Sequence, residues 1–192
     1  MNDPLLQSDA AAAEPPAFEA EAGEAGADIL QLVSFEIGVE EYAIPILAVQ
    51  EINRLMPITP VPHSPAAVEG VINLRGRIIP VVDMRKRFNL PKAQDTGDAR
   101  IIVVEVGRER RVIGFTVDRV HEVLRLEADI IDPAPTLGNA AAAEHAGLLR
   151  SPAVDFITGI GKLNDRLLIL IDLPRLFTPE DFAHAAEAVR AA

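Results

Sequence analysis

An internal repeat constrains this chain more than any single motif. Residues 70–88, Gly-Val-Ile-Asn-Leu-Arg-Gly-Arg-Ile-Ile-Pro-Val-Val-Asp-Met-Arg-Lys-Arg-Phe, align without gaps on residues 159–177, Gly-Ile-Gly-Lys-Leu-Asn-Asp-Arg-Leu-Leu-Ile-Leu-Ile-Asp-Leu-Pro-Arg-Leu-Phe. Gly, Leu, Arg, Asp and Phe coincide at five of the nineteen places, and most of the others keep apolar character. Self-similarity of this kind marks a duplicated structural unit. Each copy reads as a hairpin, a strand, an Asp N-cap (Asp83, Asp172) and a helical turn closed by Phe88 or Phe177. Upstream, Glu36-Ile37-Gly38 matches Glu105-Val106-Gly107, and Val49-Gln-Glu-Ile52 matches Val120-His-Glu-Val123.

The rest of the chain fits a pair of small β units. Short β-branched runs bounded by turn residues predict strands at Leu32–Ile37, Glu41–Ile44, Val49–Arg54, Val71–Leu74, Arg77–Val82, Ile101–Val106, Arg111–Val117, His121–Leu126, Phe156–Leu163 and Arg166–Ile171. Ten short strands favour two small barrels over one long sandwich. The expected division places one module at about 30–90 and the other at about 100–177, within a domain spanning 29–177. The polar stretch Pro91–Arg100 serves as linker, and Pro133–Pro152 forms an Ala-rich loop. Residues 1–28 are Ala, Glu, Gly and Pro with little apolar content, so they read as a disordered leader. Thr178-Pro-Glu-Asp181 supplies an N-cap, a Pro at the first helical position and acids in the first turn, which predicts a C-terminal helix over 178–192.

Charge and composition remove several function classes. The net charge is −11, but seven of the 29 acids and none of the 18 bases lie in residues 1–28. That leaves 22 acids against 18 bases, a body at only −4, so the acidity says little about what the folded part binds. Zero cysteines exclude disulfides, thiolate nucleophiles and cysteine-ligated metals, and the four histidines lack the i, i+4 spacing of a metal helix. No metal or cofactor is expected. Gly159-Ile-Gly-Lys162 lacks the spacing and the following helix of a phosphate loop, and no serine lies in a nucleophile elbow. The basic groups Arg75/Arg77/Arg85/Lys86/Arg87 and Arg108/Arg110/Arg111 lie in a slightly acidic body with 4% aromatic residues, which argues against nucleic-acid binding. No segment approaches the ~20 apolar residues that span a bilayer, and the start lacks the order of a secretory signal. The expectation is a cytoplasmic, non-catalytic protein with no direct membrane insertion.

The most informative spot is Asn73-Leu74-Arg75-Gly76. Tight hairpin turns favour Asn, Asp and Gly, which tolerate positive φ. The second copy has Asn164-Asp165 there, whereas the first puts Arg75 before Gly76. Geometry explains Gly76. Arg75 is not what turn chemistry asks for, and its planar multi-donor fork suits carboxylates at interfaces.

These residues carry a family signature. Residues 35–42 (Phe-Glu-Ile-Gly-Val-Glu-Glu-Tyr), Val49-Gln-Glu-Ile52, the Gly-x-x-Asn-Leu-Arg-Gly-x-x-x-Pro-x-x-Asp core at 70–83, and residues 166–172 closely resemble the CheW family of bacterial chemotaxis adaptors. The resemblance runs in order from about Leu30 to Phe177. It implies a mainly β fold of two packed five-stranded SH3-like barrels. It also implies a scaffold that links the cytoplasmic tip of methyl-accepting chemoreceptors to the regulatory domain of the histidine kinase CheA, within membrane-associated receptor arrays. By that resemblance the receptor-contacting arginine falls on Arg75, and further partner-binding positions fall on Val49, Glu51 and Gly70. A Glu51–Arg75 ion pair holding the fork towards a receptor helix is the expected geometry, with the groove between barrels supplying apolar contact. Two alternatives stay open on sequence grounds: a stand-alone regulatory module of a signalling kinase, and an adaptor in a non-flagellar chemosensory pathway.

Overall fold

Every run read as a strand pairs with another, and the pairing decides the architecture. The computed structural model describes residues 28–92, 97–133, 156–163, 166–177 and 181–182. Within them the order is β1 (Ile29–Ile37), β2 (Glu40–Pro45), β3 (Val49–Arg54), β4 (Val68–Leu74), β5 (Arg77–Asp83), α1 (Met84–Arg87), β6 (Arg100–Val106), β7 (Arg111–Val117), β8 (Arg119–Glu127), β9 (Ile131–Pro133), β10 (Ile157–Leu163), β11 (Arg166–Ile171) and α2 (Leu173–Leu176). The ten expected strands are present, with ends shifted by up to three residues. Only β9 is unanticipated, because three residues ending in Pro carry no alternation to read. The leader, the Ala-rich loop and most of the C-terminal segment lie outside the described residues; Asp181 and Phe182 are helical.

The strands form a six-stranded sheet, β8-β1-β2-β11-β10-β9, and a five-stranded sheet, β3-β6-β7-β5-β4, each curling into an SH3-like barrel. The duplication is visible in this order: β3, β6, β7, β5 and β4 occupy the places of β8, β1, β2, β11 and β10. Even the one parallel pairing recurs, β5 with β7 and β11 with β2. The barrels, however, do not follow the contiguous halves expected from sequence. The hairpin β1–β2 joins the strands of the second half, and β6–β7 joins those of the first. Each repeat lends its leading hairpin to the other barrel. The alternation of β1 specifies a strand but not its partner, which is why contiguity misleads here.

Because each exchanged hairpin is covered on both faces, the core has three layers. Leu32, Ala43, Leu124, Leu126, Leu168 and Leu170 fill the six-stranded barrel, and Ile72, Ile79, Val81, Ile101 and Val103 fill the five-stranded one. Between them lies a larger cluster that includes Phe35, Tyr42, Val104, Phe115, Ile169 and Phe177. Six aromatic rings run through this seam in contact order, Phe156, Phe88, Tyr42, Phe35, Phe115 and Phe177, with centroid separations of 5.3–6.2 Å. Burial there, with Glu40 nearby, pushes the Tyr42 phenol well above its ordinary pKa. The expected caps form: Asp83 Oδ1 accepts from the N–H groups of Arg85 (2.8 Å) and Lys86 (3.1 Å), and Asp172 Oδ1 from that of Arg175 (3.1 Å).

Candidate protein-interaction site

Arg75 stands at the tip of the β4–β5 hairpin, where Leu74 pairs with Arg77 and two residues make the turn. Arg75 has φ +53° and Gly76 φ +83°, the pair of positive values that a type I′ turn requires. The Asn73 side chain locks the turn, its Oδ1 accepting from the Gly76 N–H at 2.9 Å. A left-handed conformation costs a residue with a Cβ about 1–2 kcal/mol. The chain holds an arginine in a place suited to Asn or Gly, and that arginine is 80% exposed.

What holds the guanidinium is Glu51, whose Oε1 lies 3.0 Å from Arg75 Nη2, the pairing expected from sequence. Glu51 reaches it through an irregularity in β3. The register with β6 shifts between Val49 and Glu51, so Val49 opposes Val104, a seam residue, while Glu51 opposes Val103, an interior residue of the five-stranded barrel. A bulge re-aims neighbouring side chains in this way. Val49 is half-buried over the seam; Glu51 lies at the barrel mouth. With Arg75 so exposed, the pair contributes about 0.2–1 kcal/mol and acts mainly by orienting the fork.

Around this pair lies an open cavity of about 220 Å³ lined by Gln50, Glu51, Leu74, Arg75, Arg77, Ile79 and Val103. Its wall continues through Glu105, which accepts from Gln50 Nε2 at 2.9 Å. Hydrogen bonds from Arg110 hold the Glu105 carboxyl below its usual range, with smaller contributions from Gln50 and Arg77. Thus Glu51, Leu74 and Arg75 are brought together, with Asn73 and Gly76 fixing the turn. Val49 faces the seam instead. Gly70 sits apart, buried in β4 with φ +153°, where an added Cβ would lie 2.2 Å from the Thr59 carbonyl oxygen. Its need for glycine is explained by the chain crossing over it.

Sequence reasoning did not find Gln50, Arg77 or Glu105 as members of this mouth. It also missed Leu47, which is 91% exposed on the 3-10 turn that leads into β3. An apolar residue beside Pro45 and Ile46 reads as core, and only the crossing between barrels turns it outward. Val120, at the start of β8, packs half-buried on the seam as Val49 does at the start of β3. Most of the basic side chains in those runs are paired locally: Arg85 with Asp118, Lys86 with Glu69, Arg87 with Asp181, Arg110 with Glu105 and Arg111 with Glu109. Among the described residues no three His, Asp or Glu side chains are grouped to hold a metal ion, and no helix is long and apolar enough to cross a membrane.

Two exchanged SH3-like barrels, with a charged mouth and half-buried apolar residues at the rim of the seam, define a protein-binding scaffold. Comparison with known proteins gives the family. Residues 31–181 match the CheW-like domain. The chain is 37% identical to a chemotaxis protein CheW of Klebsiella aerogenes, covering 80% of this chain and 84% of that one. It is 38% identical to a chemotaxis protein CheW of Helicobacter pylori, covering 80% and 86%. The crystal structure of the scaffolding protein TtCheW from Thermoanaerobacter tengcongensis superposes with a TM-score of 0.63 at 36% identity, covering 77% of this chain and 92% of that one. The chain belongs to the CheW family of chemotaxis adaptors.

Proposed function

We propose that this adaptor joins the cytoplasmic tip of chemoreceptors to the regulatory domain of the CheA histidine kinase, without chemistry of its own, in the cytoplasm beside membrane-bound receptor arrays. The observation that carries the receptor half is Arg75, held at positive φ and 80% exposed, with Glu51 fixing one side of its fork. Backbone strain of this kind clusters at binding sites. Four donors of the guanidinium remain available for a partner's carboxylate or helix C-terminus. Leu47, Val49 and Val120 present apolar surface along the seam, where a receptor helix would lay its apolar face. In this reading Val49, Glu51, Leu74 and Arg75 contact the partner, Asn73 and Gly76 hold the turn, and Gly70 acts through the edge of β4.

Arg75→Glu tests the reading. Reversing the charge beside Glu51 replaces attraction with repulsion towards an acidic partner group, and we expect the loss of receptor-tip capture by at least ten-fold, about 1.4 kcal/mol. The circular dichroism spectrum should be unchanged, because the residue is exposed. Receptor-tip capture that survives the substitution would remove Arg75 from the site.

A further inference from the structure

Two corners carry the chain across the seam: residues 45–48 lead from β2 to β3, and Asp118 leads from β7 to β8. The repeat makes these corners equivalent, yet their chemistry differs. The first is Pro45-Ile46-Leu47-Ala48, with no charged side chain. At the second, the Asp118 N–H donates to the Glu36 carbonyl at 3.0 Å, and Asp118 Oδ2 accepts from the Gly38 N–H at 2.7 Å. Arg85 grips the same carboxylate with two donors, Nε to Oδ1 and Nη2 to Oδ2, both at 2.7 Å. Arg85 Nη1 also donates to the Pro91 carbonyl at 2.6 Å.

One carboxylate therefore ties together three elements. Arg85 is on α1, which follows β5 of the five-stranded barrel; Glu36 and Gly38 belong to the β1–β2 hairpin of the six-stranded barrel; Asp118 is the residue before β8. Both side chains are about four-fifths buried, being 21% and 20% exposed, so salt screens them weakly, and a bidentate charged pair is directional as well as strong. The repeat shows the equivalent corner built without such a brace. Pro174 stands in the second repeat where Arg85 stands in the first, and the β2–β3 corner closes without a carboxylate. The brace is a feature of one corner, and that corner launches the strand carrying Val120.

We propose that Asp118 and Arg85 are positioning residues that, on top of the shared core, set the angle of the β7–β8 corner and, through it, the span between Val49 on β3 and Val120 on β8. The consequence for binding rests on the receptor-docking function proposed above; the geometric claim does not. The absence of cysteine makes the test direct. Arg108→Cys in the β6–β7 turn and Arg125→Cys on β8 put one spin label on each barrel at exposed sites of the full-length chain. Pulsed electron paramagnetic resonance then reads the distance between barrels. Asp118→Asn keeps an acceptor for Gly38 but loses the charged fork, and Arg85→Lys keeps the charge but loses the planar pair of donors.

The expected result is a broadened or shifted distance distribution in Asp118→Asn, and a smaller change in Arg85→Lys. Affinity for a purified receptor-tip helical hairpin should fall on the order of five-fold, the lower range of site-to-site coupling. Circular dichroism should stay unchanged. Distributions identical to the parent's in both variants would overturn the brace. A broadened distribution with undiminished affinity, in a parent that binds, would overturn its role in docking. A parent that fails to bind any receptor tip would instead sink the receptor-docking function, while the distances still decide the brace.

Discussion

Arg75 shows how a single residue can be at odds with its local structure and still be retained. Its φ of +53° suits Asn, and the Asn73 cap and Gly76 would accommodate an ideal type I′ turn without it. Replacing it therefore has two opposing effects: relief of about 1 kcal/mol of backbone strain, and loss of an exposed ion pair worth about 0.2–1 kcal/mol. Arg75→Asn is expected to leave stability unchanged or raise it by up to about 1 kcal/mol while abolishing receptor-tip capture. Urea unfolding and a pull-down on the same preparation check both halves. A clear loss of stability would mean that Arg75 is structural and that the strain argument fails. The oddity was legible in the sequence, since the second repeat has Asn164-Asp165 where the first has Arg75-Gly76. The partner was legible too, as Glu51, but the bulge that separates it from Val49 was not. A bulge has no composition signal when both flanking residues suit a strand.

At the scale of elements, the shared glycine of the repeat has one physical reason with two strengths. Gly70 lies where residues 58–59 cross β4, with Thr59 and Val71 exchanging two hydrogen bonds at 2.8 Å; Gly159 lies where β9 crosses β10. Both crossings cover a strand edge that would otherwise be open to pairing. An added Cβ at Gly70 meets backbone, Thr59 oxygen at 2.2 Å, at a positive φ. At Gly159 it meets the Ile131 Cγ2 methyl at 2.6 Å, while the nearest backbone atom, the Asp132 carbonyl oxygen, lies further off at 3.0 Å, and φ is outside the left-handed region. Gly70→Ala should destabilise by about 2–3 kcal/mol and Gly159→Ala by about 1 kcal/mol, read from urea midpoints. Equal losses would show that the backbone approach is not what distinguishes them. The sequence marked both glycines as equivalent, and the hairpins, caps and closing Phe residues around them formed where the pattern placed them. What it did not mark was the covering chain, because β9 and the Thr59 bridge are too short to have a period.

The whole molecule is joined by what the sequence split. The repeat boundary near residue 95 suggests two independent modules, but each barrel takes its leading hairpin from the other half. Among the described residues, twenty-two buried side chains pack at the seam, against six and five inside the barrels, so most of the apolar burial is shared. The aromatic run through the seam draws three rings from each half, Phe35, Tyr42 and Phe88 from the first and Phe115, Phe156 and Phe177 from the second. A chain divided between Gln94 and Asp95 should therefore give two pieces that do not fold separately. The first piece lacks β6 and β7 and leaves β1–β2 with no sheet to join; the second lacks β1 and β2 in the same way. Each alone should show no sigmoidal urea transition. Mixed in equal amounts, they should regain one transition, at a midpoint that rises with concentration because folding has become an association. The intact protein should unfold in a single step, with calorimetric and van't Hoff enthalpies in agreement. A cooperative transition in either piece by itself would mean that the exchanged hairpin is dispensable and that the seam is a contact between finished domains rather than the core that makes them.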